Sequence, residues 1–244
     1  MKKIKKAIKR IKNAVCSKCG KTLKTQIAIV LDRSGSMESC RKETIDAFNE
    51  QVKTIRQNSK KGMDTRVSLF TFATVADEPK FFNEPVTSLE ELTMEDYKPN
   101  GYTAMYDGVG KAITMLSDLK EDKDTAYLVV IISDGQENHS REFNAYKIAE
   151  RIKSLEATKH WTFTYLGANQ DLSQVSKLMN IPMGNMMCFA STPVGVRAAQ
   201  GQVLCSTASY MNARSVGATN VDNFYVNNDK TADDKKAKKT VVIS

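Results

Sequence analysis

The chain has 244 residues and only five cysteines, an odd number with no framework spacing. That excludes a disulfide scaffold and argues for a reducing compartment, so a cytoplasmic, intracellular protein is expected. No apolar run approaches the roughly twenty residues that a membrane-spanning helix needs. The N-terminus is charged and lacks both a continuous apolar core and a small-residue cleavage site, so no signal peptide is expected. Histidine occurs twice, at His139 and His160, and both read as surface or loop residues, His139 at the rim of the site described below. No Ser/His/Asp or Cys/His set with suggestive placement occurs. Gly108-Val109-Gly110-Lys111 lacks the six-residue frame and the following Ser/Thr of a phosphate-binding loop. A catalyst is therefore not expected.

One further absence is local. Residues 1–24 hold ten Lys/Arg and no Asp/Glu, which leaves 26 basic against 28 acidic side chains elsewhere. The formal charge of +8 thus belongs to an arm, and the remainder nets −2. Ile4, Ala7, Ile8, Ile11, Ala14 and Val15 recur at helical spacing among those lysines, as in a basic amphipathic helix. The arm reads either as a solvated extension or as a contact for an acidic surface: anionic lipid, nucleic acid or an acidic protein. It carries no Trp or Phe to anchor in a bilayer and no aromatic to stack on bases. Cys16 and Cys19, with Gly20, resemble one knuckle of a zinc ribbon. A structural Zn²⁺ site takes four ligands, and no second pair stands at ribbon spacing, so zinc here requires thiols from a second copy or another protein. Inert or redox-sensitive thiols are the alternative.

The rest of the chain alternates strands and helices. Strands are expected over about 25–32, 65–73, 126–133, 161–167 and 186–190, with a short edge strand near 80–83 between Pro79 and Pro85. Helices are expected over 40–58, with Ile45, Phe48, Val52 and Ile55 on one face, over 103–119, over 142–157 with Phe143, Tyr146, Ile148, Ile152 and Leu155, in a short stretch after 167, and over 193–213. This alternation implies an α/β fold, a doubly wound and mostly parallel sheet with helices on both faces. The expected organisation is an arm (1–24), one domain (25–214) and a polar, charged tail (215–244).

The most informative segment is Asp32-Arg33-Ser34-Gly35-Ser36-Met37, which follows the apolar run Ile27–Leu31. A strand buried on both faces shows no polar alternation, so one carboxylate and two hydroxyls emerge together where that strand ends. Gly35 is expected to let the loop turn. A second apolar run, Tyr127–Ile132, leads into Ser133-Asp134-Gly135, and between the two lies Gly101-Tyr102-Thr103 before a helix. Ligands bind at strand ends in open α/β sheets. Asp32, Ser34, Ser36, Thr103 and Asp134 together offer five oxygen ligands from three loops, a donor set that suits a hard cation such as Mg²⁺. Both aspartates are expected on an exposed rim.

In this order the five residues resemble the von Willebrand factor A (vWA) family and its metal-ion-dependent adhesion site. The likeness covers about residues 25–214. Segments 132–142 and 165–171 look like stand-alone vWA proteins of bacteria and their phages. The resemblance implies a six-stranded, Rossmann-like sheet with one antiparallel edge strand. It also implies Mg²⁺ or Mn²⁺ held by Asp32, Ser34, Ser36, Thr103 and Asp134, with an open position that takes an Asp or Glu of a protein partner. Asp107 is expected either to orient the Thr103 loop or to act as a first-turn helix carboxylate.

Overall fold

The computed structural model describes residues 22–119 and 124–225. The basic arm, Cys16 and Cys19 lie outside them, apart from the arm's last three residues. Strand β1 (Leu23–Asp32) is followed by a 3₁₀ turn (Gly35–Cys40), helix α1 (Arg41–Asn58), β2 (Met63–Phe72) and β3 (Phe81–Pro85). Then come α2 (Met105–Ser117), β4 (Ala126–Ser133), α3 (Ala145–Ala157), β5 (Trp161–Ala168), α4 (Leu172–Met179), β6 (Met186–Phe189) and α5 (Pro193–Ser215). The strands form one six-stranded sheet in the order β3-β2-β1-β4-β5-β6, parallel except for the edge strand β3.

β1 lies at the centre of the sheet and explains its own composition. Ile27, Ile29 and Leu31 face α1 and α5, packing with Phe48, Val52, Ile55, Val203 and Met211. Ala28 and Val30 face α2 and α3, packing with Val109, Ile113, Ile148 and Ile152. With both faces covered, the run Ile27–Leu31 leaves no position for a polar side chain. Parallel strands joined by crossover helices all point their C-terminal ends to one rim, and that rim carries the loops after β1 and β4.

Two sequence expectations need correction. Helix α3 starts at Ala145, capped by Asn144, whose Oδ1 accepts from Lys147 N at 2.9 Å. Residues 141–143 are loop because their N–H groups are taken by the Asp107 carboxylate, and Tyr146 is 74% exposed rather than core-facing. The expected tail also begins too early. Residues 216–225 remain against the domain: Phe224 and Tyr225 are buried, Phe224 N donates to Asn185 Oδ1, and Tyr225 N donates to Gly184 O. Arg214 ties this segment down. Its fully buried guanidinium donates to Thr25 Oγ1, to the Lys24 carbonyl and to the Ala218 carbonyl. Residues 226–244 lie outside the described residues. Among the described residues, no helix is long and apolar enough to cross a membrane.

One carboxylate in the fold is poorly placed as an anion. Burial pushes Glu156 up to about 7, and Asp222 adds repulsion. It sits in the last turn of α3, where the helix dipole also disfavours negative charge. The raised value means that the fold prefers the neutral form: this contribution is full below the ordinary range near 4.5 and is lost as pH rises through about 7. Glu156→Gln is therefore expected to raise stability at pH 8 by up to about 1 kcal/mol, since solvent screens this half-buried group. The gain should vanish near pH 4 in denaturant melts. An equal gain at both pH values would assign it to something other than the charge.

Candidate functional site

The C-terminal ends of β1 and β4 bring Asp32 and Asp134 to one rim. Asp32 is fully buried. Its Oδ1 accepts from Ser34 N at 2.7 Å and its Oδ2 from Ser133 Oγ at 2.6 Å. Burial pushes its pKa up, the bonds from Ser133 and Ser34 pull it down, and the Asp134 charge pushes it up again. The expectation of two exposed rim carboxylates therefore fails for Asp32, which belongs to the wall beneath the rim, while Asp134 is half-buried.

The hydroxyls complete the cluster. Ser34 Oγ lies 3.1 Å from Ser36 Oγ, and Ser36 Oγ donates to Asp134 Oδ1 at 2.7 Å. The Thr103 hydroxyl is placed by its neighbour Gly135. A Cβ built on Gly135 would stand 3.0 Å from Thr103 Oγ1 and 3.8 Å from Asp32 Oδ2, so glycine keeps open a cradle between these two side chains. All five expected residues thus converge.

The loops are clamped by backbone. Thr103 N donates to Asn138 Oδ1 at 3.0 Å, while Asn138 N and His139 N donate to the Thr103 carbonyl at 3.0 and 3.2 Å. His139 also stacks on Tyr102 with ring centroids 5.0 Å apart, which places it at the rim. Gly35 N donates to the Gly101 carbonyl at 3.1 Å. Gly35 was expected to be the turn glycine, yet a Cβ there would make only ordinary contacts of 3.6 Å. The conformational demand falls on Gly101, with φ +73° and a Cβ position 2.3 Å from Thr74 Oγ1.

Asp107, in the first turn of α2, reaches the loop after β4 rather than the Thr103 loop. It accepts from Arg141 N, Glu142 N and Phe143 N at 2.8, 3.0 and 2.8 Å. Glu137 does parallel work, accepting from Tyr106 N, His139 N, Ser140 N and Ser140 Oγ.

Three contributors escaped the sequence reading. Ser191, at the end of β6, donates to Asp134 Oδ2 at 2.9 Å. Ser133 holds Asp32 from the neighbouring strand. Tyr97, in the long loop after β3, donates to the Asp32 carbonyl at 2.5 Å, and burial pushes its own pKa well up. For the two serines the signal was available, since each stands at a strand end on the rim that the topology defines. Tyr97 had none, because a loop residue's reach cannot be read from spacing.

Among the described residues no three His, Cys, Asp or Glu side chains gather into a metal-binding group. The cluster is of another kind, with two carboxylates and three hydroxyls. Such a set, open beside Gly135, fits a hard, oxygen-preferring divalent cation and does not fit a soft metal.

A doubly wound α/β domain with an oxygen-lined site across its strand ends is the class that fold and site define. The von Willebrand factor type A domain family matches residues 26–197, and the chain belongs to that family. No curated protein sequence matches it significantly. Among solved structures, the vWF domain of the type V pili tip protein Mfa5 from Porphyromonas gingivalis is similar with a TM-score of 0.59 at 10% identity, over 78% of this chain and 97% of that one. Proximal thread matrix protein 1 from the mussel byssus gives 0.56 at 15% identity, over 77% of this chain and 47% of that one, so the chain spans about half its length. The PilB minor pilin from Streptococcus sanguinis gives 0.54 at 10% identity, over 78% and 62% respectively. At these identities the likeness is one of fold.

Proposed function

We propose that the chain is a protein-binding module, not an enzyme, that captures an Asp or Glu side chain of a partner through Mg²⁺ or Mn²⁺. Asp32, Ser34, Ser36, Thr103 and Asp134 would hold the ion, and together they form a complete adhesion-type site. The observation that carries this reading is the convergence of those five oxygen-bearing side chains from three loops around the cradle beside Gly135. When bound, the ion supplies an electrophilic centre for an external carboxylate. The chain's own residues do the rest. Two carboxylates balance a divalent charge without a third, which leaves attraction for the partner's acid. Hydrogen bonds from Ser34 N and Ser133 fix the Asp32 carboxylate, and Ser191 fixes that of Asp134, so little ordering remains to be done on binding. A role in adhesion or assembly accords with the matrix and pilin proteins that share the fold.

The test is a pull-down with the full chain in Mg²⁺ and in chelator, repeated at rising salt. Capture at the site is expected to vanish in chelator and to change little with salt. Binding that survives chelator but fades steeply with salt would instead assign recognition to the basic arm.

A further inference from the structure

Beside the proposed capture site lies a second recess that the five oxygen ligands do not use. It has a volume of about 240 Å³ and runs between the loop after β4 and helix α4. Gly135, the residue next to Asp134, forms part of its wall, together with Gln136, Glu137, Asp171 and Gln174. The recess is graded in polarity. Met105, among its lining residues, is buried and Tyr106 and Val175 are half-buried, whereas Gln136, Asp171, Gln174 and the apolar Leu178 are exposed. Its base is therefore apolar, and its mouth carries the amides of Gln136 and Gln174 and the Asp171 carboxylate, with Leu178 as an apolar edge.

Its charge is one-sided. Glu137 and Asp171 are both among the lining residues, and among the described residues no Lys, Arg or His lines the recess. The Glu137 oxygens already accept from Tyr106 N, His139 N, Ser140 N and Ser140 Oγ, so Glu137 adds charge while Asp171 is the carboxylate placed to pair with a cation. Asp171 caps α4, with Oδ1 accepting from Ser173 N at 2.9 Å and Gln174 N at 3.4 Å. The N-terminus of α4 contributes about half a positive charge, which the full carboxylate of Asp171 outweighs. Gln170 is spoken for: its Nε2 donates to the Gly135 carbonyl at 2.7 Å and its Oε1 accepts from Tyr165 at 2.6 Å, so it braces the wall. An apolar base under an anionic, amide-lined mouth matches one class of side chain, a methylene stem ending in a cation.

We propose that this recess receives an arginine or lysine side chain of the partner, adjacent in the partner's chain to the acid captured at the neighbouring site. The proposal rests on the capture reading for its geometry and adds a sequence requirement to it: the recognised segment pairs an acidic with a basic residue.

The experiment uses the isotope-labelled full chain and two kinds of probe. n-Butylguanidinium carries the guanidinium on an alkyl stem with no carboxylate and no second charge, so in Mg²⁺ it reports on the recess alone. Saturable amide shifts are expected for residues 135–137 and 171–175, and none for its neutral analogue n-butylurea. Asp171→Asn keeps the helix cap, because asparagine caps as well as aspartate, and should weaken n-butylguanidinium about two- to fivefold. Gln174→Lys places a competing cation at the mouth and should abolish the shifts. In Mg²⁺, a short peptide with Asp beside Arg should bind about two- to fivefold tighter than the same peptide with citrulline, and Asp171→Asn should erase that difference. No saturable shift with n-butylguanidinium, an equal response to n-butylurea, or equal affinity of the two peptides would overturn the proposal. n-Butylguanidinium shifts that persist while no peptide responds to Mg²⁺ would locate the failure in the metal-capture reading instead.

Discussion

Replacing Asp32 by asparagine is expected to lower Mg²⁺ affinity by about a hundredfold or more, while leaving the melting temperature unchanged or raised. The two effects separate because the carboxylate does two different things. Toward a cation it is one of only two formal charges in the site, and removing one member of a close, desolvated charge pair costs about 3 kcal/mol or more, which is about a hundredfold. Toward the fold it is a buried anion whose pKa burial pushes up, so its charge is a burden. Asparagine has nearly the same shape. Its Oδ1 still accepts from Ser34 N, and its amide can donate to Ser133 Oγ, whose proton turns to the Gly135 carbonyl 3.2 Å away. Asp32→Ala is the contrasting change: it leaves Ser34 N buried without an acceptor and Ser133 Oγ with only its longer bond to the Gly135 carbonyl, at about 1–3 kcal/mol. Calorimetry with Mg²⁺ and melting curves in chelator read the two effects independently. An asparagine variant that binds Mg²⁺ like the parent would remove Asp32 from the site. One that melts as low as the alanine variant would mean that the charge itself supports the fold.

Asp107→Ala is expected to cost about 3 kcal/mol, a fall of about 6–12 °C in melting temperature for a domain of this size. It should also weaken metal binding without Asp107 touching the site. The carboxylate gathers the three consecutive N–H groups of residues 141–143, and without it the loop after β4 loses one of its two anchors. Glu137, the other anchor, lies in the same loop and accepts from Tyr106 N at the start of α2. Loosening there passes to Thr103 through its bonds with Asn138 and His139. Hydrogen exchange should show faster exchange across residues 135–143, with β1 and β4 still protected. Unchanged exchange and melting would reduce Asp107 to an ordinary first-turn carboxylate.

How much of this was legible follows from where each residue's constraint lies. β1 and β4 were readable because burial on both faces removes polar residues in sequence order, so the strand ends, and with them Asp32 and Asp134, could be placed. Right-handed crossovers set the shared rim, whereas the order β3-β2-β1-β4-β5-β6 was not readable, because handedness does not select which strands pair. The depth of Asp32 was not readable: a strand end is exposed or buried according to what the next strand and a distant loop place over it, here Ser133 and Tyr97. Residues 141–143 carry helical periodicity, yet one long-range carboxylate claims their backbone donors and holds them as loop. The packed segment 216–225 averages into the polar, charged tail, yet it holds Val216, Ala218, Val221, Phe224 and Tyr225, and its two buried aromatics and Arg214 fix it to the domain. The glycine demand moved from Gly35 to Gly101 because the tight contact is with Thr74, remote in sequence.

Capture of a partner's carboxylate through the ion stands or falls with the Thr103 hydroxyl, so Thr103→Ala is the decisive variant. Thr103 clamps its loop through backbone atoms, which alanine keeps, and it offers the site a neutral oxygen, so neither loop nor charge changes. Measured side by side in Mg²⁺, the variant is predicted to keep metal affinity within about tenfold of the parent while complex formation with the partner is lost, because the geometry that admits an external carboxylate goes with the hydroxyl. A variant that forms the complex as well as the parent, or a parent that forms it equally well in chelator, would contradict the claim and leave these five residues a structural role.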